Sequence, residues 1–245
     1  TVTASFSENV IVNNSSGNPR IQLETGANDR YANYISGNST STLTFLYTVQ
    51  SGDAVSDLDY KATNSLSANS GTIRDNATND ATLTLSSPGA SGSLGANKAI
   101  VVDGIVPTVI NVSSSNTNGA YKTNDNITVT VTFSENVIVD NSSGNPRIEL
   151  ETGSTDRYAN YTSGNSSTVL SFLYTAQSGD NSSDLDYKAT NSLSTNGGTI
   201  RDNATNNATL TLDSPGDSNS LGSNKDLVIT SWKQESYIKA VNSIA

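Results

Sequence analysis

The sequence contains no cysteine and no histidine. Their absence excludes a disulfide framework, a Ser-His-Asp or Cys-His catalytic centre, the common zinc sites and haem ligation. The metal ions that its remaining side chains suit are hard, oxygen-binding cations such as calcium.

Basic residues and long apolar runs are also scarce. Lysine and arginine total 13 against 23 aspartate and glutamate residues, so the formal net charge is −10. This balance argues against a nucleic-acid partner, which needs a basic face to neutralise phosphates. No apolar run approaches the roughly 20 residues that cross a bilayer, so we expect no membrane span in this chain. With no methionine and no signal-peptide pattern, the chain is expected to be a mature product or a fragment.

Hydrophobic residues make up only 33% of the chain, yet their spacing is regular. In the stretch 127–133, apolar residues alternate strictly with threonine. A period of two is typical of a β-strand with one face in a core and the other in water. Because a disordered, low-complexity chain would not keep this phase, the pattern favours a β-rich protein with many polar turns.

The sequence repeats itself. The segment FSENVIVNNSSGNPRIQLETG, which begins at Phe6, returns as FSENVIVDNSSGNPRIELETG from Phe133, an offset of 127 residues. This offset holds without insertion as far as the pair Val101 and Val228. Copies this similar indicate duplication within a tandem array, and the period suits one independently folding β-domain per copy.

The second copy predicts a series of short strands. They are 109–112, 127–139, 147–152, 158–162, 169–176, 185–189, 208–212 and 226–230. Turn sequences such as Asn196-Gly197 and Pro215-Gly216 separate them. Apolar spacing of three and four, which a helix needs, is missing. We therefore predict an all-β fold of tandem immunoglobulin-like antiparallel β-sandwiches, with a jelly roll or an elongated β-solenoid as alternatives.

The predicted domains are an immunoglobulin-like repeat over residues 1–102, a complete repeat over 103–230, and a tail or the start of a following module over 231–245. The first copy has no counterpart of residues 103–127, which carry the first strand of the second copy. A fragment boundary explains this. Alternatively, a neighbouring molecule donates the strand and builds a filament by β-augmentation.

Three segments of the second copy carry a family resemblance. The first begins with VDGIVPTVINVSSS and ends with NDNITVTVTFSENVIV. The second is RIELETGSTDRYANYTSG, and the third is SDLDYKATNSLSTNGGTIRDNATNNATLTL. Together they resemble the bacterial Ig-like tandem repeats of very large surface and secreted proteins, particularly adhesins. Such arrays generally hold a terminal binding domain away from the cell. The resemblance implies an extracellular or cell-surface location and neighbouring repeats as partners.

The tail SWKQESYIKAVNSIA departs from the repeat and contains the only tryptophan, Trp232. It resembles the opening of an FG-GAP-type propeller repeat. The other interpretation is an irregular tail.

Carboxylates are the strongest binding chemistry that the sequence offers. Because strand direction alternates in such a sandwich, Glu135 and the loop of Asp202 are predicted at one pole, where the chain enters through Asp103. Calcium takes six to eight oxygen ligands, and these residues would supply several. Glu8 and Asp75 are the matching positions of the first copy. The alternatives are solvated acidic loops, or an Asp202 side chain that caps a turn.

In the related repeats, an aspartate in this loop precedes a Gly-Asn turn. This sequence has Thr205 in place of that glycine.

We expect these repeats to act as structural spacers with no catalytic residues, stiffened by calcium where domains join. Asp57 with Asp59 forms a pair of carboxylates as in glycosidases, but its duplication in each copy fits an active site poorly. The alternatives are a self-associating filament subunit, or a module that binds surface glycans through tyrosines such as Tyr31 and Tyr158.

Overall fold

A computed structural model describes residues 1–230 of the chain. The chain divides into two compact units, Thr1–Ile105 (unit 1) and Val106–Ala245 (unit 2). The predicted domain boundary, between residues 102 and 103, lies three residues before this division. The tail with Trp232, and the propeller opening predicted there, lie outside the described residues.

Unit 1 is built around one antiparallel sheet. Its elements are β1 (Val2–Asn13), β2 (Arg20–Glu24), β3 (Arg30–Ser36), β4 (Thr40–Leu46), β5 (Ala54–Val55), β6 (Asp59–Tyr60), β7 (Leu66–Ser67), β8 (Thr72–Arg74), α1 (Leu94–Asn97) and β9 (Val102–Asp103). The strand order is β6-β2-β3-β4-β1-β8, and β7 also pairs with β2. The short strands β5 and β9 pair separately.

Unit 2 repeats this arrangement and adds two strands at its start. Its elements are β10 (Val109–Ser114), β11 (Gly119–Lys122), β12 (Asn126–Asp140), β13 (Arg147–Leu150), β14 (Arg157–Ser163), β15 (Ser167–Thr175), β16 (Leu193–Ser194), β17 (Thr199–Arg201), α2 (Leu221–Asn224) and β18 (Leu227–Thr230). The order is β10-β12-β15-β14-β13-β16, with β17 on β12. Thus β12 corresponds to β1, and β10 extends the sheet beyond it.

The predicted all-β, antiparallel fold class is confirmed. Within residues 1–230, the helices are single turns, and the strand ladders are antiparallel except that β11 runs parallel to β18. The sequence predicts no helix at α1 or α2. Each turn begins at a serine, Ser93 or Ser220, whose side chain accepts an N–H of the first turn. The immunoglobulin-like assignment stays a prediction.

The alternation seen in the sequence is the alternation of burial. Along β12, Ile127, Val129, Val131 and Phe133 are each at most 1% exposed, whereas the threonines between them are partly exposed. The residues opposite on β15 include Leu170 and Phe172, which are also buried. Burying each such side chain stabilises the fold by about 1.5–3 kcal/mol, so this strand pair forms the centre of the core of unit 2.

Two predicted strands are not regular strands. Over 185–189, Leu185 and Tyr187 are buried as predicted, but the Asp186 carboxylate accepts the N–H groups of Tyr187 and Gly216. The segment meets β13 through a single bridge, between Tyr187 and Leu150, and not through a ladder.

Over 208–212, the N–H groups donate to carbonyls of different segments. Ala208 donates to Ile200 and Leu212 donates to Thr190. Because consecutive bonds do not reach one neighbouring strand, no ladder forms there.

Candidate metal centre

Glu135 lies on an irregular stretch of β12. The register of β12 against β15 shifts between Thr132 and Val137, which places Glu135 within the irregularity. Bulges of this kind bend a strand and redirect its side chains. Glu135 is half-buried there.

Asp202 follows β17 and closes a tight turn. Its carboxylate accepts the backbone N–H of Asn206 at 2.8 Å and the Asn206 side-chain amide at 2.7 Å. Within this turn Thr205 has a φ of 72°, in the left-handed region that favours glycine. Asp202 therefore caps a turn, as one interpretation of the sequence predicts. Each carboxylate oxygen has two acceptor positions, so this does not prevent cation binding.

Asp103 lies at the end of β9, and its Oδ1 accepts the N–H of Ile105 at 3.1 Å. One carboxylate oxygen from each of Asp103, Glu135 and Asp202 lies within 4.8 Å of the others. Ligand oxygens that share a calcium ion at 2.3–2.6 Å have separations of this size. This acidic triad could hold a metal ion, and its all-oxygen donor set suits a hard cation.

The matching residues of unit 1 have a different environment. Glu8 is exposed in the irregular part of β1, and Asp75 closes the turn after β8. The Asp75 carboxylate accepts the side-chain amide of Asn79 at 2.7 Å and its N–H at 2.8 Å. These bonds lower the pKa of Asp75. Among residues 1–230, neither Glu8 nor Asp75 belongs to a group of three carboxylates close enough to share an ion.

A second type of carboxylate centre was not expected from the sequence. Asp53 in unit 1 is 1% exposed, and it accepts hydrogen bonds from Arg30 Nε at 2.8 Å and the Tyr47 hydroxyl at 2.5 Å. In unit 2, Asp180 is equally buried and accepts from Arg157 at 2.9 Å and Tyr174 at 2.7 Å. Because nearly every residue of this region recurs in both copies, recurrence did not single out these groups.

The surroundings of Asp53 keep it ionised. Burial by itself raises the pKa of a carboxyl group, but the hydrogen bonds from Tyr47 and Arg30 outweigh burial and lower the pKa of Asp53. Burial and the neighbouring Asp53 raise the pKa of the Tyr47 hydroxyl, which stays a hydrogen-bond donor. A stabilised carboxylate with a fixed donor on each side indicates a structural role.

Unit 1 should therefore lose stability in acid through Asp53. Its folded-state pKa lies below the unfolded value of about 3.9, so its contribution is full above that pH and is lost as the pH falls through the lower folded-state pKa. Urea unfolding between pH 6 and pH 2, followed by hydrogen exchange of unit 1 peptides, measures this loss. In Asp53→Asn the curve should be flatter, whereas Asp80→Asn, at an exposed ion pair, should keep the wild-type slope. Equal slopes in both variants would contradict the assignment.

The other candidate residues serve local structure. Asp59 accepts the N–H groups of Gly89 and Tyr60, and Asp57 accepts that of Ile100 at 3.2 Å. These carboxylates hold loops against the sheet.

The exposed tyrosines are covered on one ring face. The guanidinium of Arg20 lies 4.0 Å from the Tyr31 ring centroid, and Arg147 lies 3.9 Å from that of Tyr158. A glycan that stacked on these rings would have only the other face to contact.

Comparison of the chain with protein-family models, with curated proteins and with solved structures finds no match. No helix within residues 1–230 is both long enough and apolar enough to span a membrane.

Proposed function

We propose that this chain consists of structural spacer repeats of a large extracellular or cell-surface protein, of the adhesin type, which bind calcium at the acidic triad. The observation that carries the proposal is the meeting of Asp103, Glu135 and Asp202 within 4.8 Å, although they lie far apart in sequence.

Electrostatics supports a cation at the triad. Two carboxylates about 5 Å apart repel each other by roughly 3 kcal/mol at an effective dielectric constant of about 20. Three such charges therefore favour a bound cation, which would replace this repulsion by attraction. Calcium suits the triad because it accepts oxygen ligands in flexible geometry and fills its remaining positions with carbonyl groups or water.

The proposed role of the ion is mechanical. Asp103 ends β9, while Glu135 and Asp202 belong to β12 and the turn after β17. An ion that binds all three would hold the end of β9 to β12 and to that turn. Repetition of the arrangement along an array would make a string of domains stiff.

The composition supports the spacer role. Similar copies without cysteine can refold after extension without forming wrong disulfides. The net charge of −10 favours solubility.

Calcium should stabilise unit 2, and the two copies provide a matched control. We expect the thermal midpoint of unit 2 to rise by several degrees between chelator and millimolar calcium, because a ligand that binds only the folded state stabilises it. Asp202→Asn should abolish the rise. Asp75→Asn, which alters the same turn in unit 1 but lies outside the triad, should retain it. Hydrogen exchange of unit 2 peptides during heating reports the midpoint.

Two results would contradict calcium binding at this site. One is a midpoint that is the same with calcium and with chelator. The other is an equal rise in wild type and Asp202→Asn, since the ion would then bind elsewhere. Small-angle X-ray scattering tests the mechanical role, because calcium should narrow the distribution of interatomic distances in wild type and not in Asp202→Asn.

A further inference from the structure

In unit 2, the first strand completes the sheet. β10 lies antiparallel to β12, with Val109 opposite Phe133 and Val112 opposite Val131. Val112 is 1% exposed and belongs to the hydrophobic core. One edge of β10 is therefore held by the β12 ladder.

The other side of β10 is held by the end of the repeat. The N–H of Val112 donates to the carbonyl of Asn219 at 2.8 Å, and the carbonyl of Val112 accepts the side-chain amide of Asn224 at 2.8 Å. Just before β10, the carbonyl of Pro107 accepts the N–H of Thr209 at 2.8 Å. Backbone groups on both sides of the strand are thus bound.

Unit 1 has an open groove at the corresponding place. Over 2–5, β1 pairs with β4 on one edge, and no described strand pairs with its other edge there. A groove of about 630 Å³ lies between this edge, α1 and the segment 82–86. All of its lining residues belong to unit 1.

The floor of the groove is an incompletely buried core. Five apolar residues that line it are only half-buried, whereas their counterparts in unit 2 are buried. The half-buried residues are Ala4, Phe6, Leu85, Leu94 and Ile100, and the buried counterparts in the same order are Val131, Phe133, Leu212, Leu221 and Leu227. The difference marks apolar surface that is covered in unit 2 and partly open in unit 1.

The polar groups of the groove match a strand as well. Thr82, Gly92 and Asn97 line it, and they correspond to the residues of unit 2 that bond to the β10 segment, namely Thr209, Asn219 and Asn224. In unit 2 these bonds use the backbone N–H of Thr209, the backbone carbonyl of Asn219 and the side-chain amide of Asn224. Unit 1 has the same kinds of group at these positions, because any residue supplies the backbone groups and Asn97 supplies the amide. The groove therefore offers an apolar floor and the hydrogen-bonding groups that an extended backbone needs.

We propose that the groove of unit 1 binds an extended polypeptide strand of another chain, with the pattern of β10, antiparallel to β1. An apolar side chain at the position of Val112 would enter the groove beside Ala4, and the strand backbone would pair with the free edge of β1. This is strand addition to an open sheet edge, in which the ladder supplies affinity and the pocket supplies specificity. It does not depend on calcium binding at the triad.

A synthetic peptide of residues 106–116 tests the proposal on the full chain. We expect one peptide to bind per chain by calorimetry, with new hydrogen-exchange protection over 2–6 in β1. The thermal midpoint of unit 1 should rise by roughly 10 °C when the free peptide is at about 100 times its Kd. Unit 2 is the internal control. Because β10 already pairs with β12 there, the peptide should not change the hydrogen exchange of β12.

A variant peptide tests specificity without altering the protein. The Val112→Asp peptide should bind more than about tenfold more weakly, because its carboxylate would enter an apolar floor. Equal affinity for both peptides would overturn the proposal, as would no binding at about 1 mM peptide. Sedimentation velocity tests a second copy as the occupant. Oligomers that the peptide dissociates would support strand donation by a second copy, whereas oligomers that persist, with exchange over 2–6 unchanged by the peptide, would overturn the proposal.

Discussion

Replacing Phe133 with alanine is expected to lower the free energy of unfolding of unit 2 by about 3–5 kcal/mol. Phe133 is 1% exposed, lies on β12 opposite Val109 of β10, and belongs to the core cluster of the unit. Truncation removes its apolar contacts and leaves a cavity. Because the hydrogen-bonded ladders hold β10, β12 and β15 in place, the neighbouring side chains can fill this cavity only in part. Urea titration followed by hydrogen exchange of unit 2 peptides measures the loss.

The matched variant in unit 1, Phe6→Ala, is expected to cost less than half as much. Phe6 is followed by the same six residues, Ser-Glu-Asn-Val-Ile-Val, but is half-buried beside the open groove. Water can reach the space that truncation leaves, so the penalty for a dry cavity does not arise. Equal losses in the two variants would contradict the open groove. If the 106–116 peptide binds, it should raise the cost of Phe6→Ala towards that of Phe133→Ala.

Replacing Asp180 with alanine is expected to destabilise unit 2 by about 3 kcal/mol. The carboxylate is 1% exposed and accepts from Arg157, the Tyr174 hydroxyl and the N–H of Gln177. The variant leaves these donors without their acceptor, and the Tyr174 side chain is itself buried, so its hydroxyl has little access to water. The same urea titration measures the effect.

Two further variants serve as a matched comparison and as a control for Asp180→Ala. Asp53→Ala should destabilise unit 1 by a similar amount, because Arg30 and Tyr47 surround Asp53 in the same way. Asp217→Ala, at an exposed position, should change stability by less than about 0.5 kcal/mol. A loss below about 1 kcal/mol in Asp180→Ala would show that the buried carboxylate is not a major support of the fold.

The sequence was informative where burial alternates. The period of two along 127–133 predicted the strand β12, because each apolar residue there faces the core. The same period did not predict that 185–189 lacks a ladder. Alternation reports which side chains are buried, and it does not distinguish a ladder from the single bridge that joins Tyr187 to Leu150.

Pairing between distant segments was harder to predict from the sequence. The segment 119–122 has few apolar residues, so its strand β11 was missed, and its parallel partner β18 lies over a hundred residues away. The centre at Asp180 was missed for a related reason. Local sequence cannot show that Arg157 and Tyr174 converge on one buried carboxylate.

The candidate metal residues were chosen from topology. Alternating strand direction led to Asp103, Glu135 and Asp202, whose carboxylates the structure brings together. The same reasoning led to Glu8 and Asp75, which belong to no such group among residues 1–230. The irregularity that carries Glu135 was not expected, since a register shift depends on the partner strand β15.

The parallel pair β11 and β18 has a mechanical consequence for unit 2. β11 lies near the start of the unit, and β18 ends the described chain; they pair from Gly119 opposite Leu227 to Lys122 opposite Thr230. Because the strands run in the same direction, tension between residues 106 and 230 pulls them in opposite directions along a common axis. The interstrand bonds are then loaded in shear and must break together, whereas an antiparallel pair pulled at one end would unzip bond by bond.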